Sequence, residues 1–318
     1  MRALLETRLM PAIVVAVIVI ILPLLFPSAY YYRIGVLVFI FALAVVGLNL
    51  LMGFAGQVSL GHAGFLGIGA YSVAIGPIHF GAPSWLCLFA GAILSGALAF
   101  LVGRPILRLK GHYLAVATLG LGLLVAIVLT NEAGWTGGPD GMSVPGLVLF
   151  DWSVRGAYTW YWIAGTTFVG GFVLALNLMG SPTGRALQAI HDSEIGALVL
   201  GIDVARKKLT IFIISAMYAS VAGSYLALFN GYITPDAAGF LRSIELVAMV
   251  VLGGMGSIVG SLVGAAVLVV LPQALTIFHE YEQALLGLIV MVFMIFLRQG
   301  IVPSIVAVLD GENDDPGD

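Results

Sequence analysis

Charge is the scarcest property of this 318-residue chain, because only 9% of its residues are Asp, Glu, Lys or Arg. An ordinary soluble domain carries about 25%. Hydrophobic residues make up 61% of the chain, and they recur in runs of about 20 residues, the length with which a helix crosses a bilayer. The sequence therefore excludes an ordinary soluble domain and predicts an all-α polytopic membrane protein.

Cysteine and the common catalytic motifs are also scarce or missing. Cys87 is the single cysteine, so an intrachain disulfide and a thiol redox pair are excluded. His79 and His279 stand alone in predicted turns and offer no metal cluster. The chain contains no G-x-x-x-x-G-K-[ST], G-x-S-x-G or H-E-x-x-H motif. We therefore expect no enzymatic activity, no bound metal and no cofactor held by this chain.

Acidic residues are missing from the centres of the hydrophobic segments, and Glu245 is the deepest of them. A carboxylate inside the membrane is the usual sign of proton or sodium coupling. An ion-coupled secondary transporter is the alternative from another functional class, but neither such a carboxylate nor an inverted repeat is visible. Energy for transport is therefore expected to come from another polypeptide.

What the sequence does contain is a series of about ten hydrophobic segments. They lie at 9–27, 33–53, 57–77, 85–103, 111–131, 158–179, 209–229, 242–254, 257–272 and 284–298. The first is interpreted as an uncleaved span, since no A-x-A-like cleavage site accompanies it. The segment 242–254 rises only about 20 Å, less than the roughly 30 Å hydrocarbon core. The region 242–272 therefore either crosses twice or forms a re-entrant pair.

Basic residues indicate the orientation of these segments. With the N-terminus in the cytoplasm, the outer side holds three basic residues, Arg33, Arg155 and Arg242. The inner side holds the other ten: Arg2, Arg8, Arg104, Arg108, Lys110, Arg185, Arg206, Lys207, Lys208 and Arg298. Basic residues are enriched in cytoplasmic loops. Both termini and the loop 180–208 are therefore predicted to be cytoplasmic, and the loop 132–157 to lie outside.

A polar stretch opens the third hydrophobic segment. Gln57, Ser59 and His62 are followed by glycines at three-residue spacing and by Tyr71. One interpretation is a close-packed helix whose polar groups bond to neighbouring backbone. The other is a broken helix that lines a translocation path and meets a zwitterionic solute with free amide groups and polar side chains.

A second polar stretch, residues 181–201, interrupts the apolar sequence and is called the island below. Ser181 ahead of Pro182 predicts a capped helix, and Asp192 with Ser193 predicts a second cap. Two amphipathic helices on the membrane surface are one interpretation. The other is a knob that enters a groove of a partner protein. The residues proposed to couple to that partner are Gly184, Arg185, Leu187, Ile190, Glu194, Leu198 and Gly201.

The predicted outer loop near 131–142 is rich in turn residues. Its glycines permit positive φ angles, and Pro139 fixes a bend. It is either a plain tight turn or a docking surface for a solute-delivering partner. The docking candidates are Thr136, Gly137, Gly138 and Asp140.

Four stretches together resemble the permease subunits of ABC importers for branched-chain amino acids, in particular the LivM-type permease. They are GQVSLGHAGF from Gly56, LKGHYLA from Leu109, TGGPDG from Thr136, and the island from Gly184 to Gly201. The island departs from the general E-A-A-x-x-x-G pattern, because Glu194 and Gly201 are seven positions apart. His112 stands where relatives often have an acidic residue.

The resemblance implies a permease core like that of vitamin B12-type importers, in an inner membrane, with the 180–208 loop as its coupling loop. It implies a second and different permease subunit, two cytoplasmic ATPases that use the ATP, and a periplasmic binding protein, but no nucleic acid. An ABC importer of the same kind that carries urea or short amides is the alternative. Residues 1–303 are expected to form one permease domain. Residues 304–318, with five acidic residues near their end, are expected to be a disordered cytoplasmic tail.

Overall fold

A computed structural model of the chain describes residues 2–26, 28–109, 111–149, 152–275, 287–288, 291–293, 295, 297 and 299–309. Its helices are α1 (Arg2–Leu25), α2 (Ala29–Met52), α3 (His62–Phe80), α4 (Ser84–Ile106), α5 (His112–Asn131), α6 (Ala133–Thr136), α7 (Ala157–Gly180), α8 (Pro182–Asp192), α9 (Glu194–Val199), α10 (Val204–Asn230), α11 (Phe240–Gly253), α12 (Ile258–Leu275) and α13 (Ile301–Leu309). Lys110, His279, Arg298, most of the predicted segment 284–298 and the residues 310–318 lie outside the described residues.

Short strands connect two of the loops. Strand β1 (Met142–Ser143) pairs with β4 (Tyr232–Ile233), and β2 (Val148–Leu149) pairs with β3 (Trp152–Ser153), both antiparallel. Short 3₁₀ turns cover Gly138–Asp140 and Pro235–Ala238. The β1–β4 pair joins the loop before α7 to the loop after α10, two regions that the charge pattern predicts to lie on the same side of the membrane.

Within the described residues, seven helices are long and apolar enough to cross a membrane: α2, α3, α4, α5, α7, α10 and α12. The first helix adds a shorter apolar stretch, Met10–Leu25. Helix α11 has only 14 residues, in agreement with the predicted weak segment. The prediction of an all-α polytopic membrane protein is confirmed, because the spans are hydrophobic and helical.

Helix α2 lies at the centre of the core and is buried along most of its length. Its hydrophobic surface continues all round the helix, which is typical of a helix surrounded by protein or lipid. Helix α10 packs against α2, α3 and α4. Gly69 and Gly223 allow this approach, because a Cβ at either position would overlap the backbone of the facing helix. Close packing through small residues replaces the hydrophobic driving force that is absent within a bilayer.

Two predicted boundaries are corrected by the structure. The third span begins at His62, not at residue 57, because residues 53–61 are non-helical and contain Gly56 at φ 64°. The tail does not begin at residue 304, because α13 continues to Leu309. Its sequence IVPSIVAVL is apolar except for Ser304, so it has the composition of a helix that packs on the protein.

The loop between α10 and α11 runs inward toward α3. The turn Pro235–Ala238 packs against α3 and α5, and Ala63 N donates a hydrogen bond to Ser243 Oγ at 3.1 Å. Ser243 lies in the first turn of α11, whereas Ala63 lies in the first turn of α3. The two helices therefore begin side by side, and α11 is a half-length helix that starts inside the protein.

Candidate functional site

The non-helical segment 53–61, called the polar segment below, connects α2 to α3. Gln57 N donates to Leu51 O at 3.1 Å, and Leu60 N donates to Thr118 Oγ1 of α5 at 3.1 Å. Gly61 approaches α5 so closely that a Cβ would overlap the carbonyl of Thr118. Irregular backbone at membrane depth is tolerated where protein groups satisfy it or where it lines a cavity. Here the Thr118 side chain of α5 satisfies one backbone amide and the Leu51 carbonyl satisfies another.

The polar segment turns its polar side chains inward. Gln57 is 2% exposed and Ser59 is 1% exposed, whereas Val58 between them is 43% exposed. Residues in an extended segment alternate between two faces. An ordinary globular surface would have the opposite alternation, with the apolar residue inside. The face of this segment that points into the protein is therefore polar.

Several of these inward atoms have no hydrogen-bond partner among the described residues. They are both amide atoms of Gln57, Ser59 Oγ and His62 Nδ1. His62 Nε2 lies 3.2 Å from Ser215 Oγ, and that hydroxyl donates its proton to Gly47 O at 2.6 Å. A hydroxyl has a single proton, so His62 Nε2 carries the ring proton and Nδ1 is a free acceptor. Each such unpartnered buried group costs about 1–3 kcal/mol.

Tyr71, the fourth predicted path residue, does not lie with the other three. It follows His62 by nine positions on α3, or about 13 Å along the helix axis. Its side chain is buried and its hydroxyl has no hydrogen-bond partner among the described residues. Its helix packs against the turn Pro235–Ala238 in the loop before α11. The predicted path residues therefore occupy two levels along the same helix.

A cavity of about 460 Å³ lies on the side of the protein where α11 begins, between α2, α10, α11 and α12. Its polar lining includes Asp236, Arg242 and Glu245. The sequence reasoning missed this site. The available signal was three charged residues within ten positions at the start of an unusually short span. Among the described residues, no group of three or more His, Cys, Asp or Glu is arranged to hold a metal ion.

The island forms the two capped helices that were predicted. Ser181 Oγ accepts hydrogen bonds from Thr183 N at 3.2 Å and Gly184 N at 3.4 Å, and caps α8. Ser193 Oγ accepts from Gly196 N at 3.1 Å and caps α9. The chain leaves α9 through Gly201 at φ 80°, a conformation that favours glycine.

Burial divides the apolar residues of the island into two sets. Leu187 and Ile190 are buried against the protein, which corrects the expectation that they offer an apolar surface to a partner. Gly184 is buried as well, and a Cβ there would overlap the backbone of Met179. The exposed apolar set lies on and just after α9: Ile195, Leu198, Val199 and Leu200.

The charged residues of the island also fall into two sets, one that bonds to the protein and one that is exposed. Glu194 forms an ion pair with Lys208 of α10, and Lys207 Nζ donates to Thr183 Oγ1 at 3.0 Å. Arg185 is exposed. Glu194 therefore connects the island to α10, while Arg185 is presented to the surroundings.

Helix α8 also touches the polar segment. A Cβ added to Gly56 would lie 2.9 Å from His191 Nδ1, so the last turn of α8 rests directly on the chain next to Gln57. The island therefore contacts the polar segment at Gly56, one residue before Gln57. Sequence reasoning did not predict this contact, because the two stretches are far apart along the chain.

The predicted docking loop is a rigid turn. Thr136 is buried, and its hydroxyl lies 2.6 Å from Leu129 O and 2.9 Å from Glu132 O. Gly137 and Gly138 have positive φ angles of 78° and 65°. Asp140 is exposed, and its carbonyl accepts a hydrogen bond from the Tyr232 hydroxyl. Thr136 and the glycines therefore shape the loop, and Asp140 is the candidate with a free side chain.

Comparison with known proteins identifies the family. Residues 30–297 match the family model described as branched-chain amino acid transport system / permease component. The LivM permease proteins of Salmonella typhimurium and of Escherichia coli K12 are each 36% identical over 294 residues, which cover 85% of this chain and 69% of either protein. The LivH permease protein of Salmonella typhimurium is 28% identical over 250 residues, 72% of this chain and 79% of that protein.

No solved structure matches the chain. The matched region includes all seven long apolar helices, so the similarity extends over the membrane-spanning body and over the island. The family consists of transport permeases and not of enzymes. This chain is a multi-pass inner-membrane protein that belongs to the branched-chain amino acid transport system permease family.

Proposed function

We propose that this chain is a permease subunit of an ATP-driven ABC importer that carries branched-chain amino acids. The observation that carries the proposal is the family match over residues 30–297. Relatives of both the LivM and the LivH type are similar to this chain, which supports pairing with a second, different permease. Two cytoplasmic ATPases and a periplasmic binding protein complete the proposed machine, and ATP is used by the ATPases alone.

The proposed topology has about ten crossings around a vitamin B12-importer-like core, with both termini in the cytoplasm. Contacts between turns support it. The polar segment lies beside α8 and beside Gly256 of the α11–α12 turn, and all three are predicted to be cytoplasmic. Met142 pairs with Ile233, and both are predicted to lie outside. The proposed permease domain extends to Leu309, where α13 ends, and the acidic residues follow it in the sequence.

The island is the proposed site of contact with the ATPases. The exposed apolar side chains on α9 suit a protein groove, and Arg185 adds an exposed charge. Closure of the ATPases pushes α8, whose last turn presses on Gly56, and the polar segment moves with it. The groups that then gain access to the path are Gln57, Ser59 and His62, with Tyr71 nearer the outer side. The remaining predicted coupling residues, Gly184, Leu187, Ile190, Glu194 and Gly201, act by holding the island's shape.

The outer loop is the proposed docking surface for the binding protein. Thr136, Gly137 and Gly138 fix its backbone, and Asp140 offers an exposed carboxylate. A preformed loop loses little conformational entropy on binding, which favours recognition by a rigid partner.

Uptake by the purified complex in proteoliposomes tests the proposal. With the binding protein outside and ATP inside, we expect import of leucine, isoleucine or valine that stops when ATP is omitted and continues when the proton gradient is dissipated. Import that survives without ATP and stops with the proton gradient would identify an ion-coupled secondary transporter. Import of urea without import of aliphatic amino acids would identify a urea or amide permease.

A further inference from the structure

The cavity between α2, α10, α11 and α12 combines charged and apolar walls. Asp236, Arg242 and Glu245 are its charged lining residues, and Phe41 and Met249 are among its apolar lining residues. Its volume of about 460 Å³ falls within the roughly 300–1,000 Å³ that is typical of small-molecule sites. In the proposed topology it lies on the outer side, where a delivered solute arrives.

The guanidinium of Arg242 is held in place from two directions. Its Nη1 lies 2.5 Å from Glu245 Oε2, and its Cζ lies 5.3 Å from the centre of the Phe41 ring. Its Nε is a buried donor without an acceptor among the described residues. Its Nη2 forms no hydrogen bond to a described residue and is not among the buried atoms, so Nη2 is the unused donor that a ligand can reach. A fixed guanidinium with spare donors is the group that best matches a carboxylate, because its planar fork forms two parallel hydrogen bonds.

The acidic side chains of the cavity outnumber its one guanidinium. Glu245 is engaged by Arg242, whereas Asp236 is exposed and forms no ion pair with any described residue. Asp236 is therefore free to attract a cation. A ligand with one carboxylate and one ammonium group would meet an opposite charge at each end.

We propose that this cavity binds the zwitterion of an aliphatic α-amino acid on its way into the membrane. Its carboxylate binds Arg242, its ammonium group binds Asp236, and its side chain packs on Phe41 and Met249. This proposal rests on the proposed function and assigns the cavity as the first binding site on the translocation path. Tyr71 lies on α3, which packs against the turn that contains Asp236, so α3 offers a route from this site toward His62.

The test compares variants within the complete complex at saturating, amino-acid-loaded binding protein, so that the binding protein's own affinity does not set the rate. R242Q and D236N are each expected to lower the uptake rate of leucine by roughly tenfold to a hundredfold, the effect of losing a charge-assisted hydrogen bond. R242K keeps the charge and is expected to recover part of the rate. R155Q is the matched control, since Arg155 is a predicted outer arginine outside this cavity.

A second variant tests the apolar wall. M249W fills part of the cavity and is expected to reduce uptake of leucine more than uptake of valine, a change in selectivity that a general folding defect does not produce. Uptake in R242Q equal to that in R155Q overturns the site. Loss of the second permease from purified R242Q would instead identify this face as a subunit interface and also overturns it. A wild-type complex that imports no aliphatic amino acid contradicts the proposed function itself, independently of the variants.

Discussion

At the scale of single residues, Asn49 shows how a polar side chain stabilises an apolar bundle. It is 1% exposed in the last turns of α2. Its Nδ2 donates to Ser257 O at 2.8 Å and lies 3.0 Å from Ser261 Oγ. Its Oδ1 accepts from Gly256 N at 2.9 Å. One side chain therefore satisfies both donors and acceptors of the turn between α11 and α12.

The N49L variant is predicted to lose this connection while keeping a similar volume. The half-buried amide of Gly256 would lose its partner, which costs about 1–3 kcal/mol in the free energy of unfolding. The Ser257 carbonyl keeps its hydrogen bond from Ser261 N at 3.2 Å. The measurement is the Tm of the purified complex in detergent. T166V is the control, because the Thr166 hydroxyl is exposed and, among the described residues, bonds only within its own helix. Equal Tm values for the two variants would contradict the role of Asn49.

At the scale of elements, α9 is the part of the island that carries exposed apolar side chains and is the proposed contact with a partner. Leu198 is 60% exposed and Val199 is 83% exposed, and both lie beyond the Glu194–Lys208 ion pair that fixes the helix. The substitution L198E is predicted to reduce co-purification of the ATPase at least tenfold, as expected for a central interface residue that contributes about 1.4 kcal/mol or more. Glu194 is a poorer test, because its replacement also breaks the ion pair with Lys208.

The D140K variant is the control for L198E. Asp140 is exposed at the opposite, predicted outer side, so its reversal is expected to leave the ATPase bound and to weaken docking of the binding protein. ATP-dependent uptake and the amount of each subunit are measured together. An unchanged ATPase content in L198E would favour the alternative that the island rests on the membrane surface.

The same elements mark the limit of what the sequence predicts. The two caps at Ser181 and Ser193 were predictable, because a capping hydroxyl bonds within three residues of itself. A broken helix near His62 was one of the two interpretations of the sequence, but the place where α3 begins was not predictable. The backbone before it is satisfied by Thr118 and α3 begins against Ser243, both distant in the chain. For the same reason, amphipathic spacing indicated that Leu187 lies on an apolar face of its helix. It could not indicate that this face packs against the rest of the same chain.

At the scale of the whole molecule, every proposed role depends on which side of the membrane each loop faces. The island must be cytoplasmic to meet an ATPase, and the outer loop must face the opposite side to meet a binding protein. The hydropathy pattern predicted most span positions to within a few residues, because each span is a local property. The charged cavity at Arg242 arises from four helices together, so only the folded chain reveals it.

Single cysteines test this arrangement directly. Cys87 is the chain's one cysteine and is buried in α4, so C87A provides a cysteine-free background with little change in volume. In that background, D140C is predicted to react with a membrane-impermeant maleimide in intact spheroplasts. V199C, at an exposed position of α9, is predicted to react only after permeabilisation. Labelling is read as a mass shift of the purified chain. The reverse pattern would invert the topology, and α9 would then face away from any cytoplasmic ATPase, which would remove the coupling role of the island altogether.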